Sequence, residues 1–159
     1  MSTSRYLTLA KEIVAAFKGA KDFSRCCGEV NCFARIINAE EGHVKVELDV
    51  TNELVNPYGT LHGGCTATLV DIVTTMALTA TPRAQPGVSV DLSVSYLAAA
   101  KLGETIVVDA SVLRAGKMLA YTRADVFRKS DNALVAVGQH TKAFPLSQIR
   151  TKLPFQKEQ

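Results

Sequence analysis

The chain of 159 residues lacks any block of like charge. Its 18 basic and 15 acidic side chains are interspersed and leave a formal net charge of +3, which excludes the basic stripe that a nucleic-acid platform needs. A small polyanionic molecule is still a compatible partner. The chain also lacks an uncharged apolar stretch approaching the roughly 18 to 20 residues that cross a bilayer, so no stable membrane insertion is expected. Its first residues do not form the uninterrupted apolar core of a secretory signal. Cysteine is scarce: Cys26, Cys27, Cys32 and Cys65 fit neither a zinc-ligand spacing nor a disulfide framework. A reducing, intracellular setting follows, cytoplasmic or mitochondrial. What is plentiful is apolar: 47% of residues are hydrophobic and 21% charged, the composition of one compact soluble domain. A chain of this size hides about two-thirds of its unfolded surface without staples.

Along the chain the hydrophobic period changes. Over residues 5–21, Tyr6, Leu9, Ala10, Ile13, Val14 and Phe17 recur at helical intervals, which predicts a helix docked on the domain within residues 1–25. Glu12 and Asp22 argue against an organelle-targeting helix. From Val44 the pattern alternates: Val44, Val46, Leu48 and Val50 against Lys45, Glu47 and Asp49, then Val88, Val90, Leu92, Val94 and Tyr96 against Ser89, Asp91, Ser93 and Ser95. Residues 104–114, 118–128 and 134–144 read as an antiparallel meander, with turns at Ala115–Gly116 and at Ser130, Asp131 and Asn132. Between these strands, residues 64–80 are small or apolar on every side apart from Asp71. A helix of that kind is buried. The expected architecture is therefore α+β, a curved antiparallel sheet of five or six strands wrapped around one long central helix over residues 26–145, with 146–159 as a tail.

The central helix is entered through V-N-P-Y-G-T-L-H-G-G, residues 55–64. The first amides of a helix have no internal partners, and the paired Gly63 and Gly64 let a ligand oxygen approach them. Asn56 can add a side-chain N–H, so a carbonyl lodged there would be polarised as its oxygen gains charge. The candidate base is Asp71, because a lone carboxylate on an apolar helix is costly to bury unless paired or used. Hydrogen bonding to Thr68, Thr74 or Thr75 would account for it structurally instead. Asp71 lies 71 minus 63, or 8, residues beyond Gly63, roughly 12 Å along the axis, whereas proton transfer to an attacking water needs contacts of about 3 Å. If Asp71 acts in the reaction, a second copy of the chain must supply it, and a two-fold pairing would create two equivalent sites.

Residues 59–71 (G-T-L-H-G-G-C-T-A-T-L-V-D), 86–91 (P-G-V-S-V-D) and 100–104 (A-K-L-G-E) resemble the hotdog-fold acyl-CoA thioesterases. The likeness covers most of residues 7–142. It implies that Gly63 and Asn56 hold the thioester carbonyl while Asp71 of the partner subunit and Ser89 orient and activate water. His62 would hold the Asn56 side chain and assist the departing thiol. Gly64, Tyr58 and Arg83 are the further substrate-binding candidates, and Lys101, Arg114, Lys117 and Lys142 are other cations within reach of coenzyme A phosphates. No cofactor and no metal are implied, coenzyme A being part of the substrate. The implied assembly is a homo-oligomer, a dimer at the active site and a dimer of dimers overall, acting in fatty-acid metabolism. On the residues alone, His62 could equally be a capping residue and Ser89 an ordinary solvated strand residue. Pro57 and Tyr58 depart from the family's smaller residues and leave the acyl preference open. A hotdog acyl-CoA hydratase or dehydratase would also polarise a thioester at the helix start, but no second acidic residue beside His62 completes its acid–base pair. A non-catalytic acyl-CoA-binding protein is the alternative outside enzymology.

Overall fold

The computed structural model describes residues 5–17 and 34–144. Cys26, Cys27, Cys32, residues 18–21 of the expected first helix, both expected domain boundaries and the tail from 146 lie outside the described residues. The described elements run α1 (Arg5–Phe17), β1 (Arg35–Glu40), β2 (His43–Asp49), α2 (Gly63–Thr79), β3 (Val88–Tyr96), β4 (Thr105–Ala115), β5 (Leu119–Arg128) and β6 (Leu134–Ala143). All six strands join one antiparallel sheet in the order β1-β2-β4-β5-β6-β3. Helix α1 buries Ala10 and Ile13 and lies against β1, and the Tyr6 hydroxyl donates to Glu41 Oε2 at 3.0 Å. No helix among the described residues is long and apolar enough to cross a membrane.

The sheet starts earlier than the alternation suggests. Strand β1 was not anticipated because a register shift falls between Ile36 and Asn38. Ile37 is the extra, unpaired residue of a bulge, so two apolar residues follow one another and break the period of two by which strands are read. Arg35 stitches this edge to β2 through Glu47 (2.8 Å) and Asp49 (2.8 Å). On β2 burial follows the expected parity, with Val44, Val46 and Leu48 facing inward, and on β5 the buried residues are Ala120, Thr122, Ala124 and Val126.

Helix α2 lies across the concave face of this sheet. Thr66, Leu69, Val70, Val73, Thr74, Met76 and Ala77 are buried against it, while Cys65, Ala67, Thr68, Asp71, Ile72 and Thr75 on the other side are half-buried. Within one protomer the sheet therefore covers one face of the helix rather than enclosing it. The approach is close at Gly138 on β6, where an added Cβ would overlap the side chain of Val70. Val70 is fully buried and β-branched, so it has little room to turn aside. Gly138→Ala is expected to destabilise the fold by about 1–3 kcal/mol through overpacking, read as a lowered urea midpoint.

Strand β3 departs from its expected environment. Val88, Val90, Leu92, Val94 and Tyr96 alternate as a buried face would, yet all but Val94 are exposed, Val90 to 60%. The cause is topological: β3 crosses over to pair with β6 and ends as the outer strand of the sheet.

Candidate active site

The N-terminus of α2 opens into a cleft of about 440 Å³ whose lining includes Asn56, Gly63, Thr66, Tyr96, Leu97 and Val135. Asn56 begins a tight turn closed by the Asn56 N–H to Thr60 carbonyl bond (2.8 Å), with Gly59 at φ +72°. Its side chain is held within that turn. Nδ2 donates to Thr60 Oγ1 at 2.9 Å, and Oδ1 accepts from the Tyr58 N–H at 2.9 Å. One hydrogen of the carboxamide is thereby fixed and the other is left to donate.

His62 makes no hydrogen bond to Asn56 within the protomer. Thr60, not His62, positions that side chain, and His62 instead caps the helix: the Gly64 N–H donates to His62 Nδ1 at 2.9 Å. A ring whose Nδ1 accepts carries its proton on Nε2 when neutral, so His62 presents an outward N–H donor. The Gly64 amide is consequently engaged, whereas the Gly63 amide has no partner among the described residues. Helix α2 has no acidic side chain in its first turn, so the partial positive charge of this terminus is not neutralised locally. Tyr96, unremarked in the sequence beyond its strand, reaches over from the end of β3 and donates its hydroxyl proton to the Gly63 carbonyl at 2.9 Å.

Asp71 sits two turns further along and is not buried in the protomer: its side chain is 44% exposed. It stands beside a polar cluster built from three elements. His140 Nδ1 lies 3.7 Å and Lys142 Nζ 3.8 Å from Asp71 Oδ1. Thr75 Oγ1 donates to the Asp71 carbonyl at 2.7 Å. Lys142 donates to Thr75 Oγ1 at 2.8 Å. Ser89 Oγ and His140 Nε2 are 2.9 Å apart, and His140 Nδ1 is 2.8 Å from Thr74 Oγ1. The structure thus brings Ser89 and Asp71 to one locus through His140, a residue the sequence reading did not single out. Lys142 is only 4% exposed, which removes it from the surface cations that could meet a phosphate. Burial lowers the pKa of Lys142 against the pull of Asp71. Burial and Lys142 together push the His140 imidazole down to about 4, with Asp71 and Asp91 opposing. His140 is neutral at physiological pH.

Two of the remaining candidates stand elsewhere. Tyr58 is 89% exposed at the tip of the 56–60 turn and is not among the cleft-lining residues. Arg83 holds the loop after α2 to the β4–β5 turn: its guanidinium donates to the carbonyls of Gly116 (2.8 Å) and Lys117 (3.1 Å) and stacks 3.6 Å from the Phe144 ring centroid.

An antiparallel sheet curled over one central helix, whose free amide end opens into a cleft, defines the hotdog class of enzymes. Comparison with known proteins makes the assignment specific: the thioesterase superfamily profile matches residues 58–135, and human acyl-coenzyme A thioesterase 13 is 46% identical over 132 residues, 83% of this chain and 91% of that protein. The chain belongs to the thioesterase superfamily. The crystal structure of zebrafish thioesterase superfamily member 2 superposes with a TM-score of 0.83 at 40% identity, covering 87% of this chain and 98% of that one. A Streptococcus pneumoniae hypothetical thioesterase crystallised with coenzyme A gives a TM-score of 0.66 at 25% identity over 69% of this chain and 84% of its own.

Proposed function

We propose that the protein hydrolyses acyl-coenzyme A to a free fatty acid and coenzyme A at a site shared between two copies of the chain. The observation that carries this reading is the unpartnered Gly63 amide beside the Asn56 carboxamide at the mouth of the cleft. The name of the human relative and the coenzyme A in the streptococcal structure supply the substrate class. The thioester oxygen takes the Gly63 N–H and the free Asn56 N–H, which stabilise it as negative charge develops. Water adds to the carbonyl carbon and gives a proton to Asp71 of the partner subunit, with Ser89 as its second hydrogen-bond partner. The C–S bond then breaks, and the sulfur recovers that proton as the thiol while the His62 Nε2–H supports the departing charge.

Distance and topology both support a role for a partner subunit. Tyr96 at one end of β3 touches the cradle, and Ser89 at the other end touches the Asp71 cluster. If two β3 edges pair antiparallel about a two-fold axis, the Tyr96 end of one meets the Ser89 end of the other, so each cradle faces a foreign carboxylate. The same pairing covers Val90 and Leu92 on an edge that would otherwise invite aggregation. We place the enzyme in the cytoplasm or the mitochondrion and its assembly as a dimer of dimers, with the dimer as the catalytic minimum. Light scattering that finds an active monomer refutes the shared site.

A thiol-release assay across short, aryl and long-chain saturated acyl-coenzyme A substrates tests the reaction. Release is expected. Hydration of an enoyl-coenzyme A without thiol release would assign a hydratase, and binding without turnover would assign a carrier. In the same assay Asn56→Ala is expected to lower kcat by about 10²- to 10³-fold, the loss typical of one oxyanion donor. A change confined to KM would move Asn56 from the transition state to ground-state binding.

A further inference from the structure

The polar cluster beside Asp71 holds a buried histidine that the hydrolytic steps above do not use. His140 is fully buried on the face of β6 that meets α2, with Thr74 against one ring nitrogen and Ser89 against the other. The charged groups around it are Asp71 on α2, Lys142 on β6 and Asp91 on β3.

Which ring nitrogen carries the proton can be argued from these neighbours. Thr74 has one hydroxyl proton, and its Oγ1 lies 2.7 Å from the Val70 carbonyl and 3.1 Å from the Asp71 carbonyl, both of which only accept. With that proton directed to the backbone, Oγ1 faces His140 Nδ1 as an acceptor, and Nδ1 must donate. Asp71 Oδ1, at 3.7 Å from the same nitrogen, favours a hydrogen there and disfavours a lone pair. A neutral imidazole protonated on Nδ1 has a bare Nε2. Ser89 must then donate its hydroxyl proton to Nε2.

We propose that His140 is a positioning residue which, by accepting a hydrogen bond from the Ser89 hydroxyl at Nε2, leaves Ser89 facing the substrate as a pure hydrogen-bond acceptor. This rests on the thioesterase reading and extends it to the orientation of the nucleophile. A water held between the Asp71 carboxylate and such a serine meets two acceptors and no donor. Both of its hydrogens point into the protein, and a lone pair points away toward the thioester carbonyl. A serine free to rotate would also donate to that lone pair and blunt the attack. The depressed pKa of His140 keeps the arrangement in place over the working pH range.

The test combines a spectroscopic readout with a kinetic one. In ¹⁵N-labelled wild-type protein, the three histidines are distinguished by the signals lost in His43→Gln and His62→Gln, so the assignment does not depend on altering the buried ring. The His140 pair of ring nitrogens is expected to report the neutral Nδ1–H form between about pH 5 and 8. The Nε2–H form, or an imidazolium, overturns the proposal. Kinetically, Ser89→Ala and His140→Gln are each expected to lower kcat about tenfold or more with KM for acyl-coenzyme A little changed, and the double variant is expected to be no slower than the slower single one. Multiplying losses would mean that His140 acts independently of Ser89, and the proposal falls. If wild-type enzyme releases no thiol from any acyl-coenzyme A, the functional reading fails and takes this one with it. If it does release thiol but the tautomer or the cycle disagrees, only the role of His140 is lost.

Discussion

Asp71→Ala is expected to lower kcat for acyl-coenzyme A hydrolysis by about 10²- to 10⁴-fold, the range that a positioned general base contributes, while KM changes little. On the proposed mechanism the side chain removed meets the attacking water and not the acyl or nucleotide parts of the substrate. The fold should survive, because Asp71 is half-exposed in the protomer and its contacts with His140 and Lys142 are both longer than 3.5 Å. The cost that remains is electrostatic: Lys142 loses its nearest carboxylate while staying buried. Asp71→Asn is the better control for that reason, since it keeps the volume and the hydrogen-bonding shape while removing the base. Both variants should unfold cooperatively in urea and be equally inactive. Near-normal turnover in either one would remove Asp71 from the chemistry and leave its neighbourhood as packing.

The parts of this site that were legible in the sequence are those set by local rules. The helix start is announced by His62, Gly63 and Gly64, and the helix body by seventeen residues with one charge, so α2 was placed to within one residue at each end. Asp71 stood out because it breaks an apolar pattern. His140 and Lys142 break a pattern too, but a less visible one. On β6 the parity that includes Ala136 and Gly138 faces α2, and carrying that parity forward lands on His140 and Lys142. Two polar residues at inward positions, opposite a helix that carries Asp71, Thr74 and Thr75, form a signal that appears only once the strand's facing is known. The exposure of β3 was not legible at all. Its alternation is that of a half-buried strand, and only the crossover that carries it past β4, β5 and β6 makes it an edge. The role of Thr60 in holding Asn56 was hidden for a similar reason, since it depends on the geometry of the turn at Gly59.

Mixing two inactive variants should restore activity. Asn56→Ala disables the cradle of its own chain but keeps Asp71, and Asp71→Ala keeps the cradle but lacks the base. In a mixed dimer one site pairs the intact cradle of the Asp71→Ala chain with the intact carboxylate of the Asn56→Ala chain, and the other site is defective in both parts. Random exchange of equal amounts makes half of the dimers mixed, each with one working site of two, so about a quarter of wild-type activity is expected under two-fold symmetry. Against parents lowered by 10²-fold or more, that is a rise of at least about 25-fold. The gain should show in kcat per site and should require subunit exchange, so it is absent immediately after mixing and grows as dimers dissociate and re-form. If cradle and base belonged to the same chain, every chain in the mixture would carry a broken site and exchange would restore nothing. The roughly 12 Å that separates Gly63 from Asp71 along α2 makes the first outcome the expected one: a carboxylate that far from the cradle serves the facing chain or does not serve at all.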